Sequence, residues 1–271
     1  MSNPFSYENK RVVVTGGATG VGAGLLEVLA EQDAEHVTVL DLKEPSGPHT
    51  TFMQCDLSDQ VAVTAAIAAI DGPVHALFNN AGVADTMPPA TVISVNYLAL
   101  RALSEGLLPK IPDGGAIVNT ASIAGGQWPT RVDMINEVLD LGGNWESTLA
   151  WLDSHDLGTQ PYAFSKELVQ VYTMRSSRPT QQRGVRTNSV CPAPIDTPLL
   201  EDFKATIGEK LIEWTSKEAT GALMTPREVA MPLAFLGSPA AAYVNGHDLV
   251  ADGGFNAAMT TGQVDFSAIM V

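Results

Sequence analysis

Tyr162 and Lys166, four residues apart in Pro161-Tyr162-Ala163-Phe164-Ser165-Lys166-Glu167-Leu168-Val169, are the first pair in this sequence whose types and spacing could do chemistry. Proline is tolerated in the first turn of a helix, so Pro161 opens one, and a spacing of four puts the phenol and the ammonium on one face. A phenol of ordinary pKa about 10 is a poor base near neutrality. A neighbouring cation favours its phenolate, and lowering the pKa by roughly three units takes about 4 kcal/mol of differential stabilisation. A second kind of chemistry is written at Thr15-Gly16-Gly17-Ala18-Thr19-Gly20-Val21-Gly22. Glycines at 16, 20 and 22 remove the Cβ atoms that would keep a pyrophosphate from the backbone, and a helix that follows points free N–H groups and its positive dipole end at that anion.

Arg11 to Val14 is a β-branched strand, the glycines are its turn, and Gly24 to Ala30 continues with helical spacing. His36 to Leu40 is a second buried strand, with Asp41 at its carboxyl end about 20 residues beyond the glycines, where a carboxylate can accept both ribose hydroxyls of an adenosine and repel a 2′-phosphate. Asp41 therefore favours NAD over NADP, and Lys43 close by weakens the preference. Thr51 to Cys55 is a third strand, and Ser58 or Asp59 caps an Ala-rich helix from Val61 to Ile70. Pro73 to Phe78 is a fourth strand, running into Asn79-Asn80-Ala81-Gly82, small residues that let the chain pass beside a nucleotide. A long helix from about Thr91 to Leu108 holds Asn96, a poor helix-interior residue that needs a reason to be there. Gly115 to Ala121 is a fifth strand and delivers Ser122 at its carboxyl end, the edge where open parallel sheets bind ligands. Gly184 to Val190 is a sixth strand, followed by the proline-stiffened loop Cys191 to Pro198 and a helical flap from Leu199 to Trp214. Thr225-Pro226-Arg227-Glu228 is a capping box before Val229 to Leu236, and Leu249-Val250 ends a last strand. Phe255 to Val271 shows no periodicity. Strand alternates with helix throughout, the pattern of a doubly wound α/β sheet in one domain covering 1–271.

Composition narrows the function. The 271 residues are 45% hydrophobic and carry a net charge of −15, which argues for a sizeable core and against a nucleic-acid surface. Cys55 and Cys191 stand far apart outside any C-x-x-C, and the five histidines show no H-E-x-x-H spacing. No disulfide and no metal site are expected. The amino-terminal ten residues are polar, and the longest nearly apolar run, Val61 to Ile70, is about half the ~20 residues that span a bilayer. A reduced, cytoplasmic protein with no membrane partner is expected.

Thr15-Gly16-(x3)-Gly20-x-Gly22, Asn79-Asn80-Ala81-Gly82, Asn96, Ser122 and Tyr162-x-x-x-Lys166, in this order, resemble the short-chain dehydrogenase/reductase family over nearly the whole chain. The resemblance implies a single Rossmann-type domain with a seven-stranded parallel sheet. It implies an NAD site with Gly16, Thr19, Gly20, Val21 and Gly22 at the pyrophosphate turn, Asp41 at the ribose, Asp56 and Leu57 at the adenine, and Asn80, Ala81 and Gly82 beside the adenosine ribose. Pro192, Ile195 and Thr197 look like the loop that anchors the nicotinamide. The catalytic residues implied are Asn96, Ser122, Tyr162 and Lys166. Tyr162 would take a proton from an alcohol while hydride leaves its carbon for the nicotinamide. Lys166 and the positive nicotinamide ring would favour the phenolate, Lys166 would also hold the nicotinamide ribose, Ser122 would bond the substrate oxygen, and Asn96 would hold a water for proton exit.

Two departures from the family pattern stand out. Ala193 replaces the usual Gly after Pro192. Ser122 and Tyr162 lie 40 residues apart where the family has about 13, so about 27 residues are inserted. The insertion, about 126–158, carries Trp128, Trp145 and Trp151 and six acids against Arg131, and reads as two short helices. It is similar in position to that of the 3α-hydroxysteroid dehydrogenase/carbonyl reductase branch, as are Ile93-Ser94-Val95-Asn96-Tyr97 and Asp196-Thr197-Pro198-Leu199-Leu200. In that branch it covers the helix of the Tyr and Lys and blocks the usual tetramer interface, which implies a homodimer through the last helix and strand. From the residues alone it either covers neighbouring helices or lines the substrate pocket. The expected substrate is a secondary alcohol or ketone of a bulky apolar molecule, a steroid, terpenoid or aryl alcohol, with Leu199, Leu200, Trp214 and Trp128 as walls. A coniferyl-type or small diketone substrate, or a non-catalytic NAD(H) sensor, are the alternatives.

Overall fold

The β-branched runs do form strands, and the structure, a computed structural model that describes residues 3–265, shows how they assemble. The strands are β1 (Arg11–Thr15), β2 (His36–Asp41), β3 (Thr51–Gln54), β4 (Ala76–Asn79), β5 (Ala116–Thr120), β6 (Arg186–Pro192) and β7 (Asp248–Ala251). They make one sheet of order β3-β2-β1-β4-β5-β6-β7, in which every neighbouring pair is parallel. Val14 stands opposite Val39 on one side and Phe78 on the other, so β1 is an interior strand and its carboxyl end opens between β2 and β4. That reversal of strand order is where an open sheet leaves a crevice for a ligand.

The helices are α1 (Gly20–Glu31), α2 (Gln60–Ala69), α3 (Pro89–Ile93), α4 (Leu100–Leu107), α5 (Val132–Asp140), α6 (Trp145–Ser154), α7 (Pro161–Gln181), α8 (Leu199–Ile207), α9 (Glu209–Ala219), α10 (Pro226–Gly237) and α11 (Phe255–Thr260). Alternation along the strands sorts them into two layers. Val12, Val14, Val39 and Phe78 face a core closed by Leu25, Leu26 and Leu29 of α1 and Leu233 of α10. Val13, Leu40, Leu77 and Ile117 face the other, closed by Val63 of α2, Leu103 of α4, and Phe164 and Leu168 of α7.

Segment 126–158 joins the second core. Ile135, Val138 and Leu139 of α5 and Trp145 of α6 are buried in it, and Trp151 stacks on Phe164 at 5.9 Å. Arg131 pairs with Glu167, a fully buried carboxylate on α7, and donates to Leu157 O at 2.9 Å. A buried pair is costly to break, because removing one partner strands the other charge away from water.

Three elements differ from expectation. The helix expected over Thr91 to Leu108 contains a π-helical stretch, Ser94–Ala99, between α3 and α4. The flap is two helices, broken where Gly208 takes φ +94°. Phe255–Thr260 is helical although the sequence there has no period, and it is held at its start by Asp252, which accepts from Gly254 N and Asn256 N. The rest of that tail, 266–271, lies outside the described residues. Among the described residues no helix is long and apolar enough to cross a membrane, and no group of three His, Cys, Asp or Glu could hold a metal ion. Cys55 and Cys191 are both free and buried.

Candidate active site

The turn after β1 is built by close backbone approach. Thr15 Oγ1 accepts from the N–H groups of Asn80 and Ala81, both at 3.0 Å, and Asn80 Nδ2 donates to Gly16 O at 3.1 Å, so the ends of β1 and β4 are tied together. A Cβ on Gly16 would stand 2.7 Å from Ala81 Cα, and one on Gly22 only 1.8 Å from Gly16 O, so no larger residue fits either position. The start of α1 has no side-chain cap: the side chain of Thr19, its N-cap, makes no bond to the first turn. Thr19, Gly20 and Val21 border instead a cavity of about 620 Å³. Uncapped helix N–H groups beside bare backbone are what a pyrophosphate needs, so the residues present fit a dinucleotide.

Continuing around the cavity, Asp41 ends β2 and accepts from Ala18 N at 2.9 Å and Lys43 N at 3.2 Å. Each carboxylate oxygen keeps a further lone pair, so the group can still accept from a hydroxyl. Asp56 and Leu57 border the next stretch, then Asn80, Ala81 and Gly82. Pro192, the last residue of β6, which runs two residues further than the sequence predicts, and Ile195 and Thr197 in the loop after it close the cavity; Asp196 N there donates to Met224 O at 2.8 Å and the buried Ala193 donates to Ala251 O at 3.3 Å. Of the residues expected here, Gly22 alone does not border the cavity; it sits behind the turn, packed on Gly16 O and the Asn80 amide.

Ser122, Tyr162 and Lys166 meet at the middle of the same cavity. Ser122 stands just beyond β5, its Oγ accepting from Ala124 N at 3.1 Å and its carbonyl held by Gln170 Nε2 at 3.2 Å. The Lys166 ammonium lies 5.6 Å from the centre of the Tyr162 ring and donates to Thr120 O at 2.8 Å. Burial pushes Lys166 down to about 8. Burial also pushes the Tyr162 phenol up, against a hydrogen bond from Ser122 that pulls it down. In the chain on its own, taking the phenolate out of water outweighs the Ser122 bond.

Asn96 lies one layer back and does not border the cavity. It sits in the π-helical stretch, Oδ1 accepting from Val83 N at 2.9 Å and Nδ2 donating to Val83 O at 3.0 Å and to Ser165 Oγ at 2.9 Å. Both amide protons are thus engaged by protein. A Cβ on Gly82 would stand 3.4 Å from Asn96 Oδ1 and 3.6 Å from Lys166 Nζ, which places the three groups in one cluster.

Beyond Tyr162 the walls turn apolar. Leu199, Phe203 and Ile207, each four residues from the next on α8, share the face that borders the cavity with Val95, Ile123 and Leu211. Phe203 packs edge-on against the Tyr162 ring at 4.7 Å. Leu199 stands where expected. Leu200 is buried on the other side, Trp214 packs edge-on to Phe255 at 5.5 Å, and Trp128 joins the core under 126–158. No residue of 126–158 borders the cavity. Of the two readings of that segment, the geometry is that of a cover over α7. Phe203 was missed from sequence, although its spacing from Leu199 and Ile207 was a usable signal; Asp85, which accepts from Tyr162 N at 2.8 Å, gave no signal.

The chain is similar to known proteins over most of its length. A family described as "short chain dehydrogenase" matches residues 10–132, and one described as "Enoyl-(Acyl carrier protein) reductase" matches residues 155–256. The chain is 33% identical over 248 residues to a coniferyl-alcohol dehydrogenase of Pseudomonas sp. (strain HR199 / DSM 7063), covering 91% of this chain and 96% of that one. It is 28% identical over 258 residues to the 3-alpha-hydroxysteroid dehydrogenase/carbonyl reductase of Comamonas testosteroni, covering 92% and 97%. The crystal structure of the 3-alpha-hydroxysteroid dehydrogenase from Pseudomonas sp. B-0831 complexed with NADH superimposes with a TM-score of 0.80 at 30% identity, over 94% of this chain and 100% of that one.

Proposed function

The chain belongs to the short-chain dehydrogenase/reductase family and is an oxidoreductase acting on CH–OH groups, and from that premise we propose an NAD-dependent enzyme that interconverts a secondary alcohol and a ketone on a bulky apolar substrate, a steroid, terpenoid or aryl alcohol. One observation carries the reading: Tyr162, Ser122 and Lys166 stand where a cavity walled by glycines and carboxylates continues into one walled by Leu199, Phe203, Ile207 and Val95.

The residues that would hold NAD are Gly16, Thr19, Gly20 and Val21 at the pyrophosphate, with Gly22 packed behind them, Asp41 at the adenosine ribose, and Asp56 and Leu57 at the adenine. Asn80, Ala81 and Gly82 would pass beside the ribose, Lys166 would hold the second ribose, and Pro192, Ile195 and Thr197 would anchor the nicotinamide. When bound, NAD supplies the hydride acceptor and a positive charge that a buried phenol otherwise lacks. The chain's own part follows from its geometry. The substrate hydroxyl would lie between Ser122 and Tyr162; Ser122 donates a hydrogen bond to the oxygen as it becomes carbonyl-like, and the Tyr162 phenolate takes the proton. Lys166, fixed by Thr120 O, favours that phenolate. Asn96, by holding Val83 and Ser165, would keep the path for proton exit past Lys166 in shape. Phe203 and Leu199 would exclude water from the reacting carbon.

Because 126–158 covers the outer side of α7, a second copy would have to dock elsewhere. Met231 of α10 and Val250 of β7, exposed by 55% and 44%, support a homodimer through that helix and strand. A coniferyl-type primary alcohol is a second reading, favoured by the similarity to the coniferyl-alcohol dehydrogenase.

The test is NADH appearance with 3α-hydroxysteroids, cyclic terpenols, coniferyl-type alcohols and short aliphatic alcohols, run with NAD and with NADP. Turnover of the ring alcohols with NAD is expected, and Asp41→Ala should shift the NAD to NADP ratio of kcat/KM by about tenfold towards NADP. Turnover confined to short aliphatic alcohols would contradict the pocket argument, and equal use of both cofactors by the unaltered chain would contradict the role of Asp41.

A further inference from the structure

The helix that carries Tyr162 starts without a cap of its own. Gln160 holds the N-cap position of α7, yet its side chain makes no bond to the first turn and donates instead to Thr206 O at 3.1 Å. Pro161 follows and has no N–H, so the first backbone donor that needs an acceptor is that of Tyr162. Its partner comes from 77 residues away: Asp85 Oδ1, at 2.8 Å.

Asp85 ends a stretch of chain that is held at several points. Asn80 is bonded to Thr15 and Gly16, and Val83 to both ends of the Asn96 amide, which also donates to Ser165 on α7. Residues 80–85 therefore run from the nucleotide cradle to the start of the helix, and Asp85 is the point of attachment at Tyr162 itself. We propose that Asp85 is a positioning residue for the reaction: its carboxylate fixes the backbone of Tyr162 in place of a helix cap and brings a negative charge to the start of the helix that carries the phenol. This rests on the reading of Tyr162 as the base.

The two effects come from one atom group but separate chemically. A carboxylate at a helix N-terminus is favoured by the helix dipole and by the N–H it accepts, which stabilises the start of α7. The same charge disfavours a phenolate nearby. The groups facing the phenol from the surrounding elements are Lys166 on its own helix, Ser122 after β5, Cys191 on β6 and Asp85, while α8 brings the uncharged Phe203 ring and, along the cavity wall, Asp202. Ser122 pulls the phenol down and Asp85 pushes it up, while the Cys191 thiol, itself pushed up by burial, stays protonated and brings no charge. Asp85 is half-buried, and its own carboxyl is raised by that burial.

Asp85→Asn keeps an oxygen acceptor for the Tyr162 N–H and removes the charge, whereas Asp85→Ala removes both. The experiment is the pH profile of kcat and of KM for alcohol oxidation by the whole chain, on whichever alcohol it turns over best, for both variants and for Tyr162→Phe. Asp85→Asn should hold plateau kcat within about threefold and move the acid limb to lower pH by roughly half a unit, since a lower phenol pKa forms the base sooner. Asp85→Ala should lose about tenfold or more in kcat with KM little changed, the signature of a misplaced base. An Asp85→Asn profile that superimposes on that of the unaltered chain overturns the proposal, as does an Asp85→Ala variant with undiminished kcat. If Asp85→Ala does not fold, the Asp85→Asn profile decides alone. Tyr162→Phe separates the two levels: if it still turns over, the reading of Tyr162 as base fails, and if it is inactive while both Asp85 variants match the unaltered chain, only the role of Asp85 fails.

Discussion

The two ends of the cavity are made of different material. Around the pyrophosphate turn the wall is backbone: Gly16, Gly20, the uncapped start of α1 and residues 80–82 just beyond β4, locked by Thr15 and Asn80. At the substrate end it is side chains, Leu199, Phe203 and Ile207 on α8 and Val95 in the π-helical stretch. A backbone wall tolerates no added atom, while an apolar side-chain wall can be recut one residue at a time. The difference separates what such a fold keeps, the means of holding one dinucleotide, from what it can vary, the molecule brought to it.

Substitutions at the two ends should therefore fail differently. Gly22→Val is expected to have the largest effect, because even a Cβ would stand 1.8 Å from Gly16 O; NADH affinity, read by fluorescence titration, should fall by about a hundredfold or more if the protein still folds. NADH affinity within threefold of the unaltered chain would show that the turn has slack and that its backbone wall is no stricter than the apolar one. Phe203→Ala should raise KM for ring alcohols by roughly tenfold, the worth of an aromatic contact and its buried area, with NADH affinity unchanged. A loss of NADH affinity instead would make α8 part of the nucleotide end.

The smallest expected effect is on stability. Lys166 is pushed down to about 8 by burial, below the usual Lys value, so the folded protein holds its proton less tightly than the unfolded chain does. The stability contributed by the neutral side chain is present above about pH 10.4 and lost as pH falls through about 8, below which a buried cation opposes folding. Lys166→Met should raise Tm at pH 7 by a few degrees, roughly 2–4 °C for each kcal/mol relieved, and the gain should vanish towards pH 10. A Tm that falls at pH 7 would mean that the ammonium stabilises the fold.

Legibility in the sequence divides along the same line. Gly16, Gly20, Gly22 and Asp41 could be read directly because backbone approach restricts residue type, and a restricted position shows in a single sequence. All seven strands were legible by composition, although β4 begins at Ala76 rather than Pro73, since Val74 N donates to Lys110 O, outside the sheet. The π-helical stretch at Asn96 was not legible, because bonds to Val83 and Ser165 from distant parts of the chain hold that residue there. Apolar walls were legible as a class but not as residues: Leu199 borders the cavity while Leu200 turns away, a difference of one step around a helix that only packing decides. Asp85 was invisible because its partner lies 77 residues on.

The most direct test of the account is Tyr162→Phe, which removes only the phenol oxygen, measured for turnover of a ring alcohol and, separately, for NADH affinity. If Tyr162 is the base, kcat falls by about a thousandfold or more, within the range that a positioned proton acceptor supplies, with NADH affinity retained. Turnover undiminished in Tyr162→Phe would contradict that role, and the proton would have to leave by another group in the cavity.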